Sequence, residues 1–191
     1  MGRGLVPPRG MGMFGMGLFL AALGMLFAAS MVAYVAIRLG PGGAARGGVH
    51  LPVELWFSTG LILLSSFTFH GAVRAIRRER LGRFRGYLWA TFGLALGFIA
   101  VQTPGLLSLL KQHSAMAGQG IHHLYGLVFF LVLLHALHVV GGIVAMAQVN
   151  VQAKRGRYDH EHYFGVRYAA MYWHFLDAVW LAMFAVFLAT G

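Results

Sequence analysis

Phe14 to Ile37 reads FGMGLFLAALGMLFAASMVAYVAI, 24 residues without a charge. A helix crosses the hydrocarbon core of a bilayer in roughly 20 apolar residues, so this run can span one. Four more such runs follow, and hydropathy places the five at about 13–37, 52–73, 86–110, 122–148 and 167–190. Backbone N–H and C=O groups find no water inside lipid, and a helix satisfies them within its own segment. The expected fold is therefore all-α: a polytopic membrane protein in which residues 1–191 form a single transmembrane helical domain.

Composition agrees. Hydrophobic residues make up 59% of the chain and charged residues 10%, against about 25% charged in ordinary globular domains. A soluble fold of 191 residues would lack the charged side chains to cover its surface. The first run is read as a retained helix and not as a signal peptide, whose apolar region is only about 7–15 residues. The opening MGRGLV also lacks the Ser or Thr at position six that myristoylation requires.

The net charge of +10 is not spread evenly. RAIRRERLGRFR (Arg74 to Arg85) and KRGRYDHEH (Lys154 to His162) read as solvated basic loops, and GPGGAARGG (Gly40 to Gly48) as a flexible one. With five spans, twelve of the fifteen Lys and Arg residues fall on the side of the N-terminus. The positive-inside rule then puts the N-terminus in the cytoplasm and the C-terminus outside. Blocks of this kind are topology signals facing anionic lipid, so nucleic acid is not an expected partner. With no cysteine, disulfides, thiolate metal sites and cysteine nucleophiles are excluded.

Ionisable groups inside a membrane are costly and usually face the bundle interior. His174 and Asp177, three residues apart, share a face of the last helix. Asp177 lies about 15 Å into that helix, at 1.5 Å per residue. A carboxylate there needs a donor, such as His174 or a group on another helix, or a proton of its own. The pair can be a structural hydrogen-bonded unit, a proton-handling site or a ligand site. His135 and His138 share a face of the fourth helix, followed by Gly141 and Gly142, where another helix can approach closely. They can be structural, or help hold a metal or haem. Spacing of i, i+3 on one helix cannot supply both axial ligands of one haem, so a haem needs a further histidine such as His70 or His174. Gln102, Ser65 and Ser66 are expected to bond neighbouring helices, and Pro104 with Gly105 to bend or end the third. His70, at the basic end of the second helix, can reach water; His122 and His123 are expected at the opposite interface. The chain contains no phosphate-loop pattern of the kind that cradles nucleotides. No Ser/His/Asp arrangement on one surface can be argued either, so catalysis by this chain alone is not expected.

The stretch HYFGVRYAAMYWHFLDAVWLAMF (His162 to Phe184) resembles the H-F-G-F-E-A-A-x-Y-W-H-F-V-D-V-V-W signature of the third subunits of haem-copper oxidases. Tyr172, Trp173, His174, Phe175, Asp177 and Trp180 stand in register. LLHALHVVGG is similar to that family's G-x-H-x-x-H-V-x-x-G, and LGFIAVQ to its G-x-x-F-x-x-x-Q. LPVELWFSTGLILLSSFTF is similar to its L-P-x-x-N-T-x-x-L-x-x-S-S-x-T. The likeness runs in order from the first helix to the fifth, as in the short bacterial form that lacks the first two of seven helices.

The resemblance implies an accessory subunit of a cytochrome c or quinol oxidase in a bacterial inner membrane. Haem and copper are then held by the partner catalytic subunit I and none by this chain, which packs on that subunit, binds phospholipid and helps sustain proton uptake. Three family carboxylates are missing: Leu23, Gly105 and Arg167 stand where relatives carry Glu, and Ala22 replaces a serine. A proton-antenna or lipid-organising role for the first of these cannot be carried over. The same motifs are compatible with a branch that accompanies nitric oxide reductases. Two further readings are a free-standing b-type cytochrome using His70, His135, His138 and His174, and a small transporter with Asp177 as its proton site. The lack of internal symmetry weighs against the transporter.

Overall fold

The computed structural model describes residues 11–40, 54–115, 122–158 and 163–190. These form five helices: α1 (Met11–Leu39), α2 (Glu54–Arg77), α3 (Leu81–Ala115), α4 (His122–Lys154) and α5 (Phe164–Thr190). Each contains a stretch long and apolar enough to cross a membrane.

The helices overrun the apolar runs that announce them. The RAIRRER segment, expected as a loop, continues α2 to Arg77 and leaves only a three-residue turn before α3 begins at Leu81. Hydropathy marks where lipid ends, whereas a helix ends where its backbone hydrogen bonds are capped, and Ala, Ile and Arg carry it past the boundary. The cap is a Schellman motif. Arg80 N–H donates to the Ala75 carbonyl (3.0 Å) and Glu79 N–H to that of Ile76 (3.1 Å), with Glu79 left-handed at φ 58°. The end of α4 repeats it with a glycine: Gly156 (φ 68°) donates to Ala153 and Arg157 to Gln152. Nor does Pro104 end α3, which runs on to Ala115. Proline removes the N–H that would donate to the Ala100 carbonyl, four residues back, a loss that a membrane helix tolerates where its surroundings compensate.

The chain runs up and down. At one end Arg77 donates to the Tyr163 hydroxyl (3.1 Å), Lys154 lies 4.6 Å over the Trp89 ring, and Tyr158 donates to Gln152 (2.9 Å). Burial raises the Tyr158 hydroxyl above the ordinary tyrosine range, because a desolvated phenolate is disfavoured. At the other end Tyr34 bonds the Thr190 hydroxyl (2.9 Å) and Arg38 donates to the Thr190 carbonyl (3.0 Å), tying the last turns of α1 and α5 together. Arg38 counts as a charge of the sparse side in the sequence, yet it is 8% exposed. A long side chain with its head on a helix-terminal carbonyl meets the need of that carbonyl for a donor.

Helices α2, α3, α4 and α5 enclose one core, containing Phe69, Phe98, Met146, Trp173 and Trp180. A second core lies where α1 covers α4 and α5, around Phe27, Tyr34, Leu131, Met183 and Phe187. Helix α5 belongs to both. Buried faces on two sides explain why the densest aromatic motif of the chain falls on this helix.

Candidate functional site: the seam between the second and fifth helices

Two indoles and one imidazole of α5 meet three hydroxyls of α2. Trp173 Nε1 donates to Ser65 Oγ (2.9 Å), and Trp180 Nε1 donates to Thr59 Oγ1 (3.1 Å). His174 Nδ1 shares a hydrogen bond with Ser66 Oγ. The hydroxyls of Ser65 and Thr59 donate back into α2, to Ile62 (2.7 Å) and Leu55 (2.7 Å). A buried indole N–H needs an acceptor, and a hydroxyl that gives its proton to its own helix still offers lone pairs to a neighbour. Such bonds average roughly 0.6 kcal/mol each in a bilayer. They set which face of α5 meets α2 more than they hold the two together.

Asp177 sits behind this seam. Its Oδ2 lies 3.9 Å from His174 Nδ1, and neither oxygen has a hydrogen-bond partner among the described residues. The carboxyl is 6% exposed and the imidazole 38%. The spacing puts an acid and an imidazole within reach of each other, and the hydrogen bond of the imidazole goes across to Ser66. Residues at i and i+3 share a face, but both side chains tilt toward the helix N-terminus. Ser66 on the neighbouring helix therefore reaches the ring at better bonding geometry than Asp177 does.

His135 and His138 lie where α4 meets α1 and α5. Phe27 of α1 meets both rings edge-on, at 6.2 and 5.6 Å. His135 also lies 5.4 Å from the Trp180 ring, and both of its nitrogens are buried without a hydrogen-bond partner among the described residues. His138 Nδ1 donates to the Leu134 carbonyl of its own helix (2.7 Å), and Tyr172 donates to the His138 carbonyl (3.1 Å). His70 is exposed near the basic end of α2, beside Arg74 (3.5 Å). Gln102 is half-buried on α3, and no side-chain hydrogen bond joins it to another described residue. Phe175 faces α1, 3.7 Å from where a Gly24 side chain would begin, beside half-buried Leu23. The side chains of His122 and His123 lie outside the described residues. Among the described residues, no three His, Cys, Asp or Glu side chains gather as a metal site would require.

The close approach anticipated at Gly141 and Gly142 is present. A Cβ on Gly142 would stand 3.1 Å from the Trp173 ring and 3.2 Å from Leu176. Trp173 is 1% exposed and bonded to Ser65 on α2, so its ring has little room to retreat. Gly142→Leu is therefore expected to destabilise the bundle by about 1–3 kcal/mol through overpacking, read as a lower midpoint of detergent-induced unfolding. Gly141→Leu, next to it in open contact with Tyr172 at 3.6 Å, is the control and should cost clearly less.

Sequence reasoning missed Thr59 as the partner of Trp180 and the enclosure of His135 between rings. The first was legible in principle, since each indole N–H demands an acceptor and α2 carries few. The second required the helix order.

Comparison with known proteins places these residues among relatives. The family model for cytochrome c oxidase subunit III matches residues 7–191. A cytochrome c oxidase subunit 3 of Synechocystis sp. is 29% identical over 175 residues, covering 90% of this chain and 72% of that protein. That of Thermostichus vulcanus is 26% identical over 185 residues, covering 90% and 84%. A probable cytochrome c oxidase subunit 3 of Mycobacterium tuberculosis is 29% identical over 127 residues, covering 66% and 61%.

Proposed function

The chain belongs to the cytochrome c oxidase subunit III family, and from that premise we propose that it is the accessory subunit that supports the catalytic subunit without carrying a redox centre itself. Subunit III of a terminal oxidase is a multi-pass membrane protein and part of an oxidase complex; cyanobacterial and mycobacterial relatives fit a bacterial membrane. The finer roles are our reading. The chain stabilises catalytic subunit I, where haem and copper reside, binds phospholipid and supports proton uptake. Its basic end faces the cytoplasm, where anionic lipid would attract each Lys or Arg by about 1 kcal/mol. Cytochrome c is the electron donor, following the name that the relatives carry.

The observation that carries this reading is the seam itself. The family motif serves to join α5 to α2, while the acid of that motif is left without a hydrogen bond to a described residue.

The test is purification of the tagged chain from its native membrane in mild detergent, with its companions identified and an absorption spectrum recorded. A large haem-bearing oxidase subunit should accompany it, and the haem absorbance should leave with that subunit when the complex is dissociated. A Soret band retained by the isolated chain would refute the accessory role. Recovery with a nitric oxide reductase would move the role to that enzyme.

A further inference from the structure

The turn between α2 and α3 does more than reverse the chain. Arg74, Arg78, Arg80 and Arg83 surround a pocket of about 190 Å³, together with His70 and Tyr87. None of the four guanidinium groups forms an ion pair with a carboxylate among the described residues. Arg77, the last residue of α2, is engaged instead by Tyr163 through a hydrogen bond and its ring face. The segment from Arg74 to Arg85 carries six arginines and one acid, Glu79.

Like charges gathered in one place repel one another, and an anion among them removes that cost. The four arginine side chains are exposed, and the backbone that carries three of them is fixed. The Schellman bonds of Glu79 and Arg80 and the bond from Phe84 N–H to the Arg80 carbonyl (2.9 Å) fix the backbone that carries Arg78, Arg80 and Arg83. Tyr87 forms a wall by packing on bare backbone, its ring 3.2 Å from where a Gly71 Cβ would stand. A planar guanidinium fork matches the oxygens of a phosphate two at a time. The volume falls below the roughly 300 Å³ at which pockets for whole small molecules begin. The opening is bordered by Phe67, 75% exposed on the apolar surface of α2.

We propose that this pocket binds the phosphate group of an anionic ligand at the membrane surface, either a phospholipid headgroup whose chains lie along Phe67 or a free phosphate. It gives a place and a chemistry to the lipid binding proposed above and rests on that reading. It does not depend on assembly with a catalytic subunit.

The test uses the full chain in two arms. In the first, the chain is reconstituted in nanodiscs of phosphatidylcholine with a minority of phosphatidylglycerol, and retained lipid is counted by native mass spectrometry. In the second, inorganic phosphate is titrated into nanodiscs of phosphatidylcholine alone. R80Q/R83Q removes two pocket guanidiniums. R85Q/R155Q removes the same charge from exposed positions that do not line the pocket. One tightly held phosphatidylglycerol per chain, bound about tenfold more weakly by R80Q/R83Q than by R85Q/R155Q, establishes the site with lipid as the source. Saturable phosphate binding lost in the same variant alone establishes it with free phosphate. Equal weakening by both double variants reduces the effect to net charge and overturns the proposal, as does no saturable binding in either arm. Both pairs lie on the surface, and helicity by circular dichroism confirms that each variant folds. Co-purification with the oxidase should be unchanged in R80Q/R83Q, so failure here and failure of the accessory role read out separately.

Discussion

Trp173→Ala is expected to be the most damaging single substitution in the bundle, costing about 3–5 kcal/mol as large aromatic deletions in packed cores do. The side chain is almost completely buried where three helices meet. Its ring closes on Gly142 of α4, and its indole N–H reaches Ser65 of α2. Removing it opens a cavity and deletes a bond between α5 and α2. Trp173→Phe separates the two effects. Ser65 keeps its bond to Ile62, so no buried hydroxyl proton is orphaned. The loss is then one interhelical bond, about 0.6 and at most roughly 1.7 kcal/mol, plus a smaller void. Unfolding of the full chain in mixed SDS micelles, followed by circular dichroism, measures both. If Phe proved as costly as Ala, the hydrogen bond would outweigh the packing of the ring, contrary to this expectation.

Asp177→Leu should act in the opposite direction on the chain and the same direction on the complex. A carboxyl near the centre of a membrane helix is disfavoured by about 2.5–3.5 kcal/mol, whereas leucine is mildly favoured. Neither carboxyl oxygen has a hydrogen-bond partner among the described residues, and the nearest imidazole nitrogen, on His174, is 3.9 Å away. The isolated variant should therefore be more stable than the parent by about 3 kcal/mol, less whatever Leu loses in fit. Under the accessory role proposed above, an acid held at that cost acts through the complex and not within this chain. Association with the oxidase, or the number of turnovers before inactivation, should fall while the initial rate is retained. Immediate loss of rate in a fully assembled complex would place Asp177 in the proton path itself. Destabilisation of the isolated chain would mean that the acid is an internal fastening after all.

The contrast between His174 and Asp177 marks the boundary of what spacing can reveal. Their shared helical face follows from 3.6 residues per turn. Which group the imidazole bonds does not, because Ser66 is 108 residues away in the chain and arrives only through the packing of α2 on α5. Ser65 and Ser66 could be marked as interhelical bonders from their type and position, but not assigned to Trp173 and His174. Gln102 carried the same signal and makes no such bond to a described residue. The basic segment after Val73 was misplaced for a different reason: charge reports solvent, whereas helix continuity depends on caps.

Hydropathy along the chain determined the solvent, the number of spans, their alternation and the uneven placement of charge, because each depends on a local window and on the cost of exposing polar groups to lipid. The order of YWHF-x-D-x-x-W and its companion motifs carried the family. Tertiary structure alone decided that α5 would be shared by two cores, that Asp177 would be left without a hydrogen bond to a described residue while His174 turned to Ser66, and that four arginines would surround one pocket. Those outcomes depend on the rotation and closest approach of helices distant in sequence, set by contacts such as Trp173 on Gly142, and no one-dimensional pattern encodes such distances.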